Sequence, residues 1–167
     1  AIDYNAIIDG AVKGRGQQLT SAVPEGMWGK DESIKGYSYN LDKAKELLAK
    51  SGENVTEINL LYSGHAAFDE AEALIYWLDS SYWGLPGNRS FYKNDEVDAL
   101  LREAEVMTDK DGRTEIYKKV QHMAFDDAPY LFLFQTKVLT PMRANIKGFA
   151  YNPMLDSMYD FEHLSKE

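Results

Sequence analysis

The chain has 167 residues, 44% of them apolar and 27% charged, a composition that gives one globular body with a sizeable core and excludes a disordered polymer. A net charge of -9 disfavours nonspecific attachment to nucleic acid or anionic membrane, since both would repel it. The absence of cysteine excludes disulfides, thiolate metal sites and cysteine nucleophiles without choosing a compartment, and no apolar run reaches the length of a bilayer-spanning helix.

No basic segment followed by an apolar one opens the sequence, so no secretory leader is visible; a mature chain would look the same. Tyr4, Ile7, Ile8, Ala11 and Val12 keep the three-four spacing of a helical stripe, which Gly14-Arg15-Gly16 stops. An irregular stretch follows, punctuated by Pro24, Gly26, Gly29 and Gly36. Within it Met27 and Trp28 either pack back onto the body or face a ligand. Asn40 caps a helix carrying Ala44, Leu47 and Leu48, which Ser51-Gly52 closes.

Residues 56–62 read as a strand with Ile58, Leu60 and Tyr62 on one face. Asp69 and Glu72 form a capping box ahead of Ala71, Leu74, Ile75 and Leu78, in a helix that Tyr76 and Trp77 crowd enough to bury it on more than one side. Gly84, Pro86 and Gly87 break the chain. Two clear helices follow, one with the stripe Val97, Leu100, Leu101 and Ala104, the other with Ile116, Tyr117, Val120 and Met123. After Asp126-Asp127-Ala128-Pro129 a buried strand is expected at 130–134 and a second at 137–140, before an acidic, aromatic and weakly periodic tail. The chain reads as mixed α and β without internal repeats.

Reactive chemistry finds little support. His65, His122 and His163 are far apart in sequence and no HExxH pattern occurs, so neither a metal nor a cofactor is expected. His122 suits a helix surface or cap, whereas His65, next to Gly64 after a strand, is placed to meet a ligand. No GxSxG surrounds any serine. Asp69-Glu70 and Asp126-Asp127 are carboxylate pairs of the kind a glycosidase needs, but 27 acids make such pairs common by chance. The turn at 109–112 does not complete a calcium loop, and Gly14-Arg15-Gly16 lacks the lysine ending of a phosphate loop. The run Asn88-Arg89-Ser90-Phe91-Tyr92-Lys93-Asn94 sets polar groups and two aromatics before a helix start, which points to a sugar- or peptide-handling surface rather than a reaction centre.

Several stretches together resemble the solute-binding proteins of peptide and nickel ABC transporters, typified by the dipeptide- and oligopeptide-binding proteins. Ala1-Ile2-Asp3-Tyr4-Asn5-Ala6-Ile7-Ile8 with Gly14-Arg15-Gly16 is similar to the family's AIDRxAII…GxG segment, and Pro24-Glu25-Gly26-Met27-Trp28-Gly29 to its PPGMWG loop. Tyr39-Asn40-Leu41-Asp42-Lys43-Ala44-Lys45-Glu46-Leu47-Leu48 resembles YDPEKAKELL, and 88–101 the NxxxYxNxExDxLL segment. Arg113, Tyr117, Gln121, Asp127-Ala128-Pro129-Tyr130 and Asn145-Ile146-Lys147-Gly148-Phe149 continue the order.

The resemblance implies the C-terminal part of a two-lobed, type II periplasmic-binding-protein-like α/β fold. Residues 1–140 would form a partial second ligand-binding lobe, and 141–167 a segment returning toward an absent first lobe. The family's longer stretch between the strand at 56–62 and Gly64, which holds a helix and a strand, is missing here. The implied function is the extracytoplasmic component of an ABC transporter that binds dipeptides or oligopeptides without turnover. Its partners would be a peptide ligand, a membrane permease and the first lobe, but no nucleic acid. Its place would be the periplasm or the outer face of the cytoplasmic membrane, on a soluble or lipid-anchored parent. Trp28, His65, Phe68, Asp69, Asn88 and Tyr92 are the expected ligand contacts. In the family's cleft loop an aspartate holds the peptide amine; that position falls on Ala67 or Phe68 here, His65 replaces a Trp, and Asp69 is left either to take the amine or only to cap its helix. The alternative is an incomplete structural or protein-interaction domain that binds no ligand alone.

Overall fold

The computed structural model describes residues 1–53, 55, 73–84, 87–137, 139–150 and 162–167. Helix α1 spans Tyr4–Val12, with an Asp3 carboxylate oxygen accepting from the Ala6 N–H at 2.9 Å at its start and Lys13 in the left-handed region (φ 54°) at its end. It buries Tyr4 and Ile8. Strand β1, Gly16–Gln18, follows after a tight reversal and pairs antiparallel with β2, Phe134–Thr136, placing Gln17 opposite Gln135. Glycine at position 16 lets the strands approach closely, since a Cβ there would lie 3.0 Å from the Gln135 carbonyl oxygen and 3.1 Å from Val12.

Helix α2, Leu41–Ser51, is capped by Asn40, whose side-chain oxygen accepts from the Lys43 N–H at 2.8 Å, and ends at Gly52 with φ 71°. The expected helix is present, yet none of its residues is buried. The core is built from α3 (Ala73–Leu78), α4 (Asp95–Val106) and α5 (Lys110–Asp127). Leu74 and Leu78 of α3, Val97, Leu101 and Ala104 of α4, and Tyr117, Val120 and Ala124 of α5 are almost wholly buried and in mutual contact, joined by Val23 from the long loop. Both long helices carry strong starts: Asn94 accepts from the Glu96 and Val97 N–H groups, and Asp109 from those of Asp111 and Gly112. Asp95, Glu96 and Asp98 add negative charge where the α4 dipole favours it.

A polar knot ties α3 to α4. Asp98 accepts from the Ser80 N–H at 2.9 Å and from its hydroxyl at 2.5 Å, while Asp79 caps the 3-10 turn Ser80–Tyr82. Arg102 Nη2 lies 3.5 Å from Asp79 and 3.9 Å from Asp98. Both carboxylates are nearly inaccessible, so this shared cation keeps buried negative charge from being left alone.

Two expectations for the C-terminal third require correction. The strand at 130–134 is displaced: only Phe134–Thr136 is strand, 130–133 is irregular, and Leu131 is largely exposed. The cause is the exit from α5, where Ala128 adopts φ 49° and Pro129 has no N–H to offer a ladder. Residues 137, 139 and 140 belong to no strand. The strand expected at 56–62 and the capping box of Asp69 and Glu72 lie outside the described residues.

The chain divides into two compact units, Ala1–Thr136 and Lys137–Glu167. In the second, β3 (Ile146–Lys147) pairs antiparallel with β4 (Ser165–Lys166), and Asn145 brackets the pair through its carbonyl and its side chain, both bonded to Glu167 at 3.0 Å. Gly148, at φ 79°, allows the close approach: a Cβ there would collide with the His163 carbonyl.

Candidate functional site

Helix α5 organises the described candidates, and it holds them at opposite ends. Trp28 stands on the 24–30 loop, whose turns are closed by Met27 N–H to the Pro24 carbonyl and Lys30 N–H to the Met27 carbonyl, each at 3.3 Å. Its half-buried indole meets Tyr117 edge-on at 5.8 Å, with Lys110 Nζ 5.3 Å and the Arg113 guanidinium 5.5 Å from the ring centre. Met27 and Trp28 both pack against the core cluster and stay partly exposed.

The loop is held down by Gln121, which is buried on α5. Its Nε2 donates to the Gly29 carbonyl at 2.7 Å, and its Oε1 accepts from the Ser21 hydroxyl at 2.9 Å and the Asp31 N–H at 3.3 Å. One turn face further, His122 Nε2 lies 3.1 Å from Asp31 Oδ2 and 3.0 Å from Ser33 Oγ. Ser33 also gives its N–H and hydroxyl to Asp31 Oδ1 at 2.8 and 2.6 Å. Burial would raise the Asp31 pKa, but the Ser33 bonds and the neighbouring His122 hold it below the ordinary carboxylate value. This is a clasp and not a nucleophile relay, because serine and aspartate meet the same imidazole nitrogen rather than opposite ones. His122 is therefore more than a surface or capping group: it fastens the loop to α5.

Asn88 and Tyr92 come together in the loop before α4. Asn88 is completely buried, and its Nδ2 lies within bonding distance of the carbonyls of Leu78 (3.2 Å), Asp79 (3.3 Å) and Tyr92 (2.9 Å). Its Oδ1 accepts from the Ser90 hydroxyl and the Tyr92 N–H. The amide thus spends its hydrogen-bonding capacity inside the loop. The Tyr92 hydroxyl donates to Asp127 Oδ2 at 2.5 Å, and Asn94 Nδ2 donates to the same oxygen at 3.0 Å. Burial, then the bond to Asp127, pushes the Tyr92 pKa well above that of an ordinary phenol; the same bond, with that from Asn94, lowers Asp127.

The residues that this loop presents to solvent are others. Phe91, held at φ 54°, is 62% exposed, and its ring lies 6.0 Å from that of Trp83, itself 49% exposed and anchored through Nε1 to the Tyr92 carbonyl. In the sequence Phe91 is one of two aromatics of the run, and Tyr92 is the expected contact. The distinction rests on a left-handed backbone at a bulky residue, for which the sequence carries no signal.

Trp28 and the Asn88–Tyr92 loop contact different stretches of α5. The α5 partners of Trp28 lie in its first half and that of Tyr92 at its last residue, on the order of 15–25 Å apart along the axis. His65, Phe68 and Asp69 lie outside the described residues. No group of three or more His, Cys, Asp or Glu side chains able to hold a metal occurs among the described residues. The arrangement fastens two loops to one helix and turns the rings of Phe91 and Trp83 outward.

Residues 1–80 match the model of the bacterial extracellular solute-binding proteins, family 5 middle region. The probable D,D-dipeptide-binding periplasmic protein DdpA of Escherichia coli is 32% identical over 214 aligned residues, covering 98% of this chain and 42% of that protein. The alignment is longer than the chain, so the relative carries residues within the matched region that are lacking here. Di/tripeptide-binding protein 1 of Pseudomonas aeruginosa is 27% identical over 96% of this chain and 40% of its own length. Among solved structures, HbpA2 of Haemophilus parasuis superposes with a TM-score of 0.82 at 18% identity, covering 99% of this chain and 43% of that one. The periplasmic binding protein DppA of Helicobacter pylori, solved with the peptide STSA, gives 0.71 at 24% identity, covering 99% and 42%. The chain thus spans about two fifths of the length of the curated relatives it matches.

Proposed function

The chain belongs to the family 5 extracellular solute-binding proteins of bacteria, and from that premise we propose that it forms part of a receptor that captures short peptides for an ABC transporter. The observation that carries this reading is the 32% identity to a D,D-dipeptide-binding protein across 98% of the chain. In it, residues 1–140 supply one incomplete wall of a two-lobed cleft and 141–167 run back toward the other lobe. A peptide lies extended between the walls, held by main-chain hydrogen bonds, and closure of the lobes is what a membrane permease senses. The family consists of solute-binding proteins; absence of turnover in this chain, a periplasmic location and a permease partner belong to the proposal.

Trp28, His65, Phe68, Asp69, Asn88 and Tyr92 remain the proposed contact set, with the geometry dividing the labour. Asn88 acts by shaping its loop, since its amide is engaged internally. Direct contact then falls on Asp69 and His65, a carboxylate suited to a peptide amine and an imidazole beside it.

Calorimetry with dipeptides built from D- and from L-residues, on the 167-residue chain and on the same chain mixed with a first-lobe polypeptide, tests the reading. Saturable binding of one dipeptide class by the mixture, lost on Asp69→Asn, is the expected result. Failure of the mixture to bind any dipeptide would overturn it. A second reading is favoured by the two-fifths coverage of the relatives: by itself the chain is an interaction domain that binds only with its partner lobe. Dipeptide binding by the isolated chain would exclude that reading.

A further inference from the structure

A cavity of about 190 Å³, open to solvent on one side, lies in the unit Ala1–Thr136 between α1, β1 and the segment leaving α5. Its walls are apolar and largely aromatic: Tyr4, Leu19, Tyr37, Phe125, Tyr130 and Phe132. Tyr37 and Phe125 stack at 4.5 Å with their planes 14° apart, making one wall a flat double ring. No described residue lining it is charged. Two polar side chains that reach it are already engaged, since Gln18 Nε2 donates to the Tyr37 carbonyl and Thr20 Oγ1 accepts from Lys30 Nζ.

Tyr4 is different. It is 8% exposed, yet its hydroxyl has no hydrogen-bond partner among the described residues. The hydroxyl is not shut off from water, so its bonding capacity is free for a group that enters from the open side. Burial, and then the nearby Tyr37 hydroxyl, raise its pKa, so it stays a proton donor through the physiological range.

We propose that this cavity is a binding site for a small neutral aromatic molecule, a single ring bearing one hydrogen-bonding group that pairs with the Tyr4 hydroxyl. An apolar cavity of roughly 150 Å³ accepts benzene, so the volume here suits one ring and a small substituent. The stacked Tyr37 and Phe125 offer the ring an offset or edge-on partner. A carboxylate or ammonium on the ligand would find no counter-charge among the described residues of the walls. Trp28, Asn88 and Tyr92, the described members of the proposed peptide contacts, do not line this cavity, and the inference does not rest on the peptide reading.

The test is a methyl-detected NMR titration of the 167-residue chain with p-cresol, toluene and benzoate. Saturable shifts at Leu19, Thr20 and Leu131, p-cresol binding roughly three- to tenfold more tightly than toluene, and no binding of benzoate are the expected results. Tyr4→Phe should equalise p-cresol and toluene while the circular dichroism stays unchanged. The proposal is overturned if no aryl compound gives saturable shifts, if the shifts scatter away from these methyls, or if Tyr4→Phe keeps the preference for p-cresol. Should Tyr4→Phe fail to fold, the order of the three compounds on the unaltered chain decides: equal affinity for toluene and p-cresol overturns the proposal.

Discussion

Helices α2 and α4 are written in the same local code and end in opposite environments. Each begins at an asparagine whose side chain accepts from the first turn, one N–H in α2 and two in α4. Each carries apolar residues at helical spacing, Leu41, Ala44 and Leu48 in α2, Val97, Leu101 and Ala104 in α4. In α4 that stripe is wholly buried against α3 and α5, whereas in α2 Leu47 is 55% and Leu48 50% exposed. Capping and periodicity are thus common to both helices, while the contribution of each to stability depends on what covers its stripe.

Four measurements would break or sharpen this contrast. Leu101→Ala opens a cavity among α3, α4 and α5 and should cost about 2–5 kcal/mol in denaturant melts. A loss below about 1 kcal/mol would mean the three-helix core is not the stabilising centre of the chain. Asn94→Ala removes a cap from a helix locked into the core and should lower global stability by about 1 kcal/mol. Asn40→Ala removes the equivalent cap from α2, and should reduce helical circular dichroism with little change in the melting midpoint. Equal shifts in both midpoints would show that α2 unfolds with the core.

The third measurement concerns the loop that covers α5, fastened by Asp31. Because the folded-state pKa of Asp31 is lowered, its contribution is fully present above the unfolded value near pH 4 and is lost as pH falls through the folded value. Melting temperature followed from pH 6 to pH 2 should thus fall more steeply for the native chain than for Asp31→Asn. Parallel curves would remove the clasp from the account. Smallest of all, Leu48→Ala should change stability by no more than about 0.5 kcal/mol, since it removes little buried surface. A loss as large as that of Leu101→Ala would show that α2 is covered in solution.

Much of the candidate site was legible at the level of landmarks and not of roles. The 88–94 run was recognisable as special from its asparagines, serine and aromatics. Yet which aromatic faces water depends on the left-handed backbone at Phe91 and on Asp127 drawing in the Tyr92 hydroxyl from the far end of α5. Trp28 was readable as a large ring on a loop. Its lodging between Tyr117, Lys110 and Arg113 required α5 to pass beneath it. The misplaced strand at 130–134 has the same origin: an apolar run is compatible with pairing, but β1 ends where Phe134 begins to pair.

Helix starts, helix stops and the glycine turns follow from local chemistry, because a cap bonds groups two or three residues away and φ strain is settled within one residue. The family follows as well, since the order of short motifs is a property of the linear chain. Burial, the Gln121 and Asp31 fastenings and the unpartnered Tyr4 hydroxyl over an aromatic cavity join residues up to a hundred positions apart. Such contacts are selected by the packing of whole elements, whose energies are sums over many neighbours, and so they became visible only when the helices were in place.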